Sequence, residues 1–240
     1  MIPRLQWANL RKALRHKQLI WSLIRGEREV ELAKKHVLIH LKSLEKKKIN
    51  FGQLESVDQV CKAIDLLKDS CYHTEYLYLV CHFFKPVKVV ETGVHYGASS
   101  AFMLKALKGF GGQLYSIDLP NNRYTRDNGL VHSDKLPIEK PSGFVVPEDL
   151  RTNWKLILGD SREELPKLLE SIGEIDVFHH DSMHTHDLMT FEFENAWSHI
   201  KPGGLLLSDD ADWNSAFDDF CQKNTSQYRI FNGIGVALKE

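Results

Sequence analysis

The sequence predicts an α/β fold, a mostly parallel sheet of seven strands with helices on both faces, preceded by a helical N-terminal extension. Three observations lead there. From Lys88 onward, short apolar runs alternate with segments of helical periodicity. Before Lys88 the chain is rich in Leu, Lys, Arg and Glu and shows helical spacing alone. The apolar runs end in an acid or a glycine turn, the chemistry expected where an open parallel sheet collects ligands at the carboxyl ends of its strands.

The elements follow in order. Residues 3–48 are predicted helical, with Gly26 as a break. Residues 54–69 place Val57, Val60, Ile64 and Leu67 at helical spacing, and the apolar, aromatic residues 73–84 form a third helix that must stop before Pro86. Strands are read over 88–93, 113–119, 154–160, 175–181 and 203–210, with helices over 98–108, 161–171, 185–200 and 213–222. Met189, Phe193, Ala196, Trp197 and Ile200 line one face of the helix at 185–200, and short strands at 227–231 and 234–238 close the chain. The domain boundary is placed at 84/85. The exception to the alternation is 120–153, a long polar stretch with Asn121, Asn122, Arg123, Tyr124 and Pro147, read either as an inserted lid or as disorder.

The 240 residues are 42% hydrophobic and 26% charged, enough to bury a core without staples. A net charge of −1 argues against nucleic acid as a partner of the whole molecule. The charge is uneven, however. Residues 1–48 hold 13 Lys/Arg against 4 Asp/Glu, which leaves 18 against 28 for the rest. The basic end reads as a solvated helix face or as a contact with an anionic lipid surface or RNA, with Trp7 and Trp21 as amphipathic anchors in the lipid case. Cys61, Cys71, Cys81 and Cys221 form no CxxC pair and read as small apolar residues in a reducing compartment. No run is long enough for a membrane span or the apolar core of a signal peptide, so the expected location is cytoplasmic. The expected partners are a small-molecule acceptor and further copies of the chain.

The first strand ends in Glu91-Thr92-Gly93-Val94-His95-Tyr96-Gly97-Ala98-Ser99. Its glycines permit a tight turn and close approach of a ligand, and the following helix presents free N–H groups to a carboxylate. The second strand ends at Asp118, 25 residues past Gly93, where an acid can take both hydroxyls of a ribose. The third ends in Gly159-Asp160-Ser161, where an acid can meet an adenine edge. The fourth ends at Asp181 and the fifth at Asp209-Asp210.

At these residues the chain resembles the class I methyltransferases, with their Rossmann-like sheet, and within them the metal-dependent O-methyltransferases. Glu-Thr-Gly-Val-His-Tyr-Gly-Ala-Ser is similar to the E-x-G-x-x-x-G-x-S turn of the catechol and caffeoyl-CoA enzymes. It departs from the D-x-G-x-G-x-G of the general class because His95 replaces the middle glycine. Asp181-Ser182-Met183-His184, followed by Lys-Pro-Gly-Gly (201–204) and Leu-Leu-Ser-Asp-Asp (206–210), is similar to macrocin- and mycinamicin-type sugar O-methyltransferases. The resemblance covers roughly residues 85–240.

The resemblance implies S-adenosylmethionine as cofactor and methyl transfer to a hydroxyl of a sugar or other small natural product. Gly93 and Gly97 would pass under the methionine part of the cofactor, Ser99 would lie near its carboxylate, Asp118 would bind ribose and Asp160 the adenine amine. Glu91, His95, Ser161 and Asp181 complete the expected cofactor set. Asp181, Asp209 and Asp210 would hold a divalent cation, and His184 stands where relatives place a base. Elementary chemistry agrees, because three carboxylates cannot be packed together without neutralisation. A hard cation, Mg²⁺ above all, resolves that and lowers the pKa of a bound hydroxyl. An imidazole can accept the proton.

Blander readings stand beside these. Asp209 or Asp210 can cap the helix that follows. Ser161 with Glu164 makes an S-x-x-E capping box, favoured over cofactor contact. His179 and His180, adjacent on a strand, point to opposite faces, one into the core and the other under a helix. His186 falls on the apolar stripe of its helix as a packing residue. His95 can simply fill its turn, and Trp213 lines an acceptor pocket or packs in the core. Three rival functions remain open. A nicotinamide oxidoreductase or epimerase would share the sheet but wants G-x-G-x-x-G. A tRNA or RNA methyltransferase would grip with the basic end. An iron-binding redox protein could use the same acids.

Overall fold

The computed structural model describes residues 27–47, 49, 53–67, 73–120, 126–127, 130–131 and 140–240. The helix expected over 3–26, its break at Gly26, and the anchors Trp7 and Trp21 lie outside the described residues, as does Cys71.

Three helices precede the sheet: α1 (Glu27–Lys46), α2 (Val57–Asp65) and α3 (Tyr76–Phe84), the last entered through a 3₁₀ turn at His73–Glu75. Val30, Ala33, Val37, Leu41 and Leu44 recur every three or four residues along α1 and are all buried, which is the stripe an amphipathic helix turns to a core. Each large side chain so withdrawn from water contributes about 1.5–3 kcal/mol. Lys85 adopts a left-handed conformation (φ 53°) and Pro86 follows, so α3 ends where the sequence requires.

The alternating region comprises β1 (Lys88–Thr92), α4 (Ala98–Leu107), β2 (Gln113–Asp118), the two-residue strands β3 (Arg126–Asp127) and β4 (Leu130–Val131), and β5 (Trp154–Leu158). There follow α5 (Ser161–Ile172), β6 (Ile175–His180), α6 (His186–His199), β7 (Ile200–Ser208), α7 (Ala216–Asn224), β8 (Tyr228–Phe231) and β9 (Ile234–Leu238). Seven strands form one sheet in the order β5-β2-β1-β6-β7-β9-β8. All neighbours are parallel except that β9 runs antiparallel to both β7 and β8. The chain steps outward one way from β1 and the other way from β6. The crevice above the ends of those two strands is therefore the topological switch point at which such sheets bind ligands.

Two core layers cover the sheet. On one face Val89, Val177, Leu205 and Leu207 pack with α1, α2, α3 and α4. On the other, Val90, Phe178 and Leu206 pack with α5, α6 and α7. Every residue of β6 is buried, as expected of a central parallel strand. The helices of the extension thus share a core with the sheet. Lys105 of α4 pairs with Glu45 of α1 at 2.5 Å and Arg229 of β8 with Asp58 of α2 at 3.0 Å.

The expected elements differ from the observed ones at several ends. Strand β7 begins at Ile200, not at 203, because Ile200 already pairs with Ile175; the register then shifts before Val177 pairs with Leu205, and Gly203 lies in that irregular stretch with φ 79°. Helix α7 begins at Ala216 and not at 213, since Asp210 turns left-handed (φ 48°) and Trp213 N–H bonds back to Asp210 O at 2.9 Å. Of the stretch 120–153, residues 121–125, 128–129 and 132–139 lie outside the described residues. Ser142, Phe144, Val145, Val146 and Leu150 are buried, and Glu148–Asn153 forms a 3₁₀ helix leading into β5. Among the described residues no helix is long and apolar enough to cross a membrane.

Candidate active site

The turn after β1 is built by backbone conformations that suit glycine. Gly93 (φ 84°) and Gly97 (φ 95°) are left-handed. A Cβ on Gly93 would fall on the Asp181 carbonyl, and one on Gly97 would lie 2.6 Å from Gly143 Cα. His95 (φ 51°) is left-handed without being glycine, a conformation held against its intrinsic preference. The turn is fastened to β2, since His95 N–H donates to Asp118 Oδ2 at 3.2 Å. Burial is the main force on Asp118 and raises its pKa above the usual carboxylate value. Hydrogen bonds from Ser142, Val94 and His95 oppose it without cancelling it. Asp118 keeps part of its surface exposed.

Asp160 lies one strand further out, where Gly159 N–H bonds to Asp118 O at 2.9 Å. Here the structure corrects the capping box. The N-cap of α5 is Asp160, which accepts from Arg162 N–H at 2.9 Å, and Ser161 is the first helical residue. Ser161 is buried, and its hydroxyl bonds to Glu192.

Glu91 and Ser99 are tied to one another. Glu91 is fully buried. Its Oε1 accepts from Ser99 Oγ at 2.5 Å, and its Oε2 accepts from Ser100 Oγ at 2.6 Å and Ser116 Oγ at 2.8 Å. Trp154 Nε1–H extends this knot by donating to Ser116 Oγ at 2.9 Å. Both residues therefore brace the glycine turn from beneath.

At the switch point one ligand atom each of Asp181, His184 and Asp209 lies within 4.8 Å of the others. Asp181 is held by its N–H to Thr92 O (2.9 Å), Asp209 by its N–H to His180 O (2.8 Å). Asp210 does not join this group; its Oδ2 lies 4.0 Å from His184 Nδ1. Asp210 adopts a left-handed conformation (φ 48°) directly after Asp209, which turns the chain between the two acids. Neither acid caps α7. Asn214 Oδ1 accepts from Ala216 N–H at 2.8 Å, while its Nδ2 donates to His184 O at 3.1 Å. Trp213 is 53% exposed beside His184 (ring centroids 6.4 Å apart) and is not a core residue.

The other histidines sort themselves by their partners. His179 and His180 are both buried, on opposite sheet faces. His180 Nδ1–H donates to Glu192 Oε2 at 2.6 Å, and its ring meets that of His184 edge-on at 5.2 Å. His186 is not a packing residue, as it sits on the surface 3.2 Å from Asp219 Oδ2.

Glu192 was not anticipated. Fully buried in α6, it accepts from Thr92 Oγ1 at 2.5 Å, His180 at 2.6 Å and Ser182 Oγ at 2.9 Å. Burial pushes its pKa up, but the His180 imidazole and the surrounding hydroxyls outweigh that, and the net shift is downward. The signal was there, because an acid stood on the apolar stripe between Met189 and Phe193. Asn214 also went unread, as did Tyr76, the first residue of α3, whose hydroxyl is buried with no hydrogen-bond partner in the protein.

The donor set suits a cation. Two carboxylates and an imidazole converge, and the oxygens accept a hard ion such as Mg²⁺ while the nitrogen widens the choice to Mn²⁺ and its neighbours. The turn suits a nucleoside, with left-handed glycines beneath and a carboxylate at the end of the next strand.

A sequence model of the family described as Methyltransferase domain matches residues 90–211. Among solved structures, the O-methyltransferase TomG of Streptomyces achromogenes, in complex with SAM, is similar at a TM-score of 0.52 and 14% identity, over 83% of this chain and 95% of that one. The SAH-bound methyltransferase PaMTH1 of Podospora anserina gives 0.50 and 12%, over 85% and 96%. The calicheamicin methyltransferase CalS11 gives 0.50 and 12%, over 90% and 95%. At these identities the likeness is one of fold. No curated protein matches the chain.

Proposed function

The chain belongs to the methyltransferase-domain family, and from that premise we propose that it transfers the methyl group of S-adenosylmethionine to a hydroxyl of a small molecule beside a divalent cation. The observation that carries this reading is the convergence of Asp181, His184 and Asp209 within 4.8 Å, at the switch point and next to the turn that Asp118 braces.

The cofactor would lie over Gly93–Gly97, with its ribose hydroxyls donating to Asp118 and its adenine edge toward Asp160. Asp181 and Asp209 would hold the cation, which lowers the pKa of an acceptor hydroxyl when bound. His184 then takes the hydroxyl proton. The Asp210 carboxylate lies on its Nδ1 side, and Asn214 holds its backbone. Glu192 holds His180, and with it the floor on which the His184 ring rests. Attack on a methyl group needs alignment more than covalent help, so a rigid set of this kind is what the reaction calls for. Trp213, exposed on the acceptor side of His184, offers a flat apolar surface for a sugar ring or a similar natural product.

The test is transfer of isotopically labelled methyl from S-adenosylmethionine to a panel of sugar and phenolic acceptors, with Mg²⁺ or Mn²⁺ and then with EDTA. The expected result is label in an oxygen-linked methyl group, lost in EDTA and in Asp181→Ala, and lowered at least about a hundredfold in His184→Gln. Full turnover of Asp181→Ala in EDTA would rule out the cation. Label on nitrogen would rule out the hydroxyl acceptor.

A further inference from the structure

A further polar group lies in the core layer on the face of the sheet that carries Asp181 and Asp209, and it comes from the helical extension. Tyr76, at the start of α3, is 1% exposed, and its hydroxyl has no hydrogen-bond partner in the protein. Buried hydroxyls are seldom left so, because an unmatched polar group has a large desolvation penalty. Tyr76 belongs to the core layer that also contains Val177, Leu205 and Leu207. Strand alternation puts Asp181 and Asp209 on that same face, four residues beyond Val177 and two beyond Leu207, and the backbone bonds of both acids continue the ladder. After burial, the charges of Asp209 and Asp181 are the largest influences on the phenol and oppose its ionisation. A second unmatched group shares the layer. His179, two residues before Asp181, is fully buried with neither ring nitrogen hydrogen-bonded, and Glu91 Oε1 is 3.8 Å away.

We infer that Tyr76 is a positioning residue of the cation site, its hydroxyl donating a hydrogen bond into the ligand sphere that Asp181 and Asp209 form around a divalent ion. The inference rests on the cation reading above. A tyrosine suits the place, since its proton stays on beside two carboxylates and it adds a donor without adding charge. Groups that orient ligands from outside the coordination sphere change metal affinity about 10- to 100-fold when removed. The helical extension is thereby part of the site rather than a cover for it.

The experiment uses the full chain and Mn²⁺ alone as probe, with Mn²⁺ affinity measured by calorimetry or electron paramagnetic resonance, and unfolding of the metal-free protein by scanning calorimetry. Tyr76→Phe should bind Mn²⁺ about tenfold more weakly than the wild type. Its metal-free Tm should stay the same or rise, because the hydroxyl it loses has no partner there. Tyr78→Phe, on the same helix but half-exposed and stacked on His82, should leave both quantities unchanged. Equal Mn²⁺ affinity in Tyr76→Phe and wild type would overturn the role of Tyr76 and leave the cation site standing. So would a metal-free Tm lowered by several degrees, which would mark the hydroxyl as structural. A wild type that binds no Mn²⁺ would instead overturn the cation reading, and the role of Tyr76 with it.

Discussion

Glu91 and Glu192 are both fully buried beneath the strand ends, one on each face of the sheet, and their oxygens are satisfied in different ways. Glu91 accepts from three serine hydroxyls, two from α4 and one from β2. Glu192 accepts from an imidazole as well as from hydroxyls, and its pKa is lowered in consequence. Glu91 sits under the glycine turn and shapes the place for a nucleoside. Glu192 sits under His180, whose ring meets edge-on that of His184, the base proposed above. The contrast teaches that one side of the crevice is fastened by hydroxyl donors alone, and the other by an imidazole–carboxylate pair as well, whose strength depends on pH.

The largest effect should come from Glu192→Ala, which leaves His180, Thr92, Ser161 and Ser182 unmatched in the core. A loss of about 3–5 kcal/mol in urea unfolding is expected; a loss below about 1 kcal/mol would erase the contrast. The pH dependence has a definite sign. A carboxylate with a lowered folded pKa stabilises the protein above its unfolded value, and that contribution is lost as pH falls through the folded pKa. Wild-type stability should therefore drop below the ordinary carboxylate range, and Glu192→Gln should drop less.

Glu91→Gln should be milder. The amide keeps one acceptor oxygen, and the hydroxyls facing its nitrogen can rotate to accept, so the expected loss is about 1–3 kcal/mol by the same measurement. A loss larger than that of Glu192→Ala would reverse the order of the two faces. Asp118 gives the smallest and subtlest effect. Its pKa is raised mainly by burial, so it protonates at a less acidic pH than an ordinary aspartate. S-Adenosylhomocysteine affinity, followed by calorimetry, should weaken as pH falls through that raised value, and Asp118→Asn should flatten the profile. A wild-type profile already flat there would remove Asp118 from the ribose.

The two halves were also unequally legible in the sequence. Strands from Lys88 onward were found to within a residue or two at most ends, because central parallel strands are continuous apolar runs bounded by turn residues. β7 was the exception at its start, since Lys201-Pro202-Gly203-Gly204 has the composition of a turn although it forms an irregular, bulged part of the strand. The acids at the strand ends were legible because topology alone brings such ends together. Which of two neighbouring acids enters the cluster was not, as that depends on a left-handed residue at Asp210. The cap of α5 slipped by one residue for a similar reason. Asp160 and Ser161 are both good N-caps, and the burial of Ser161 against Glu192 decides between them. Tyr76 carried no sequence signal, because its neighbours at the site lie more than a hundred residues along the chain.

The most direct measurement of whether these strand ends form a cofactor pocket is calorimetric titration of S-adenosylhomocysteine into the wild type and into Asp118→Ala. The expected result is one site per chain in the wild type and an affinity about a hundredfold lower in the variant, the worth of two hydrogen bonds to a charged group. A wild type that takes up no S-adenosylhomocysteine, or a variant that binds it equally well, would contradict the account.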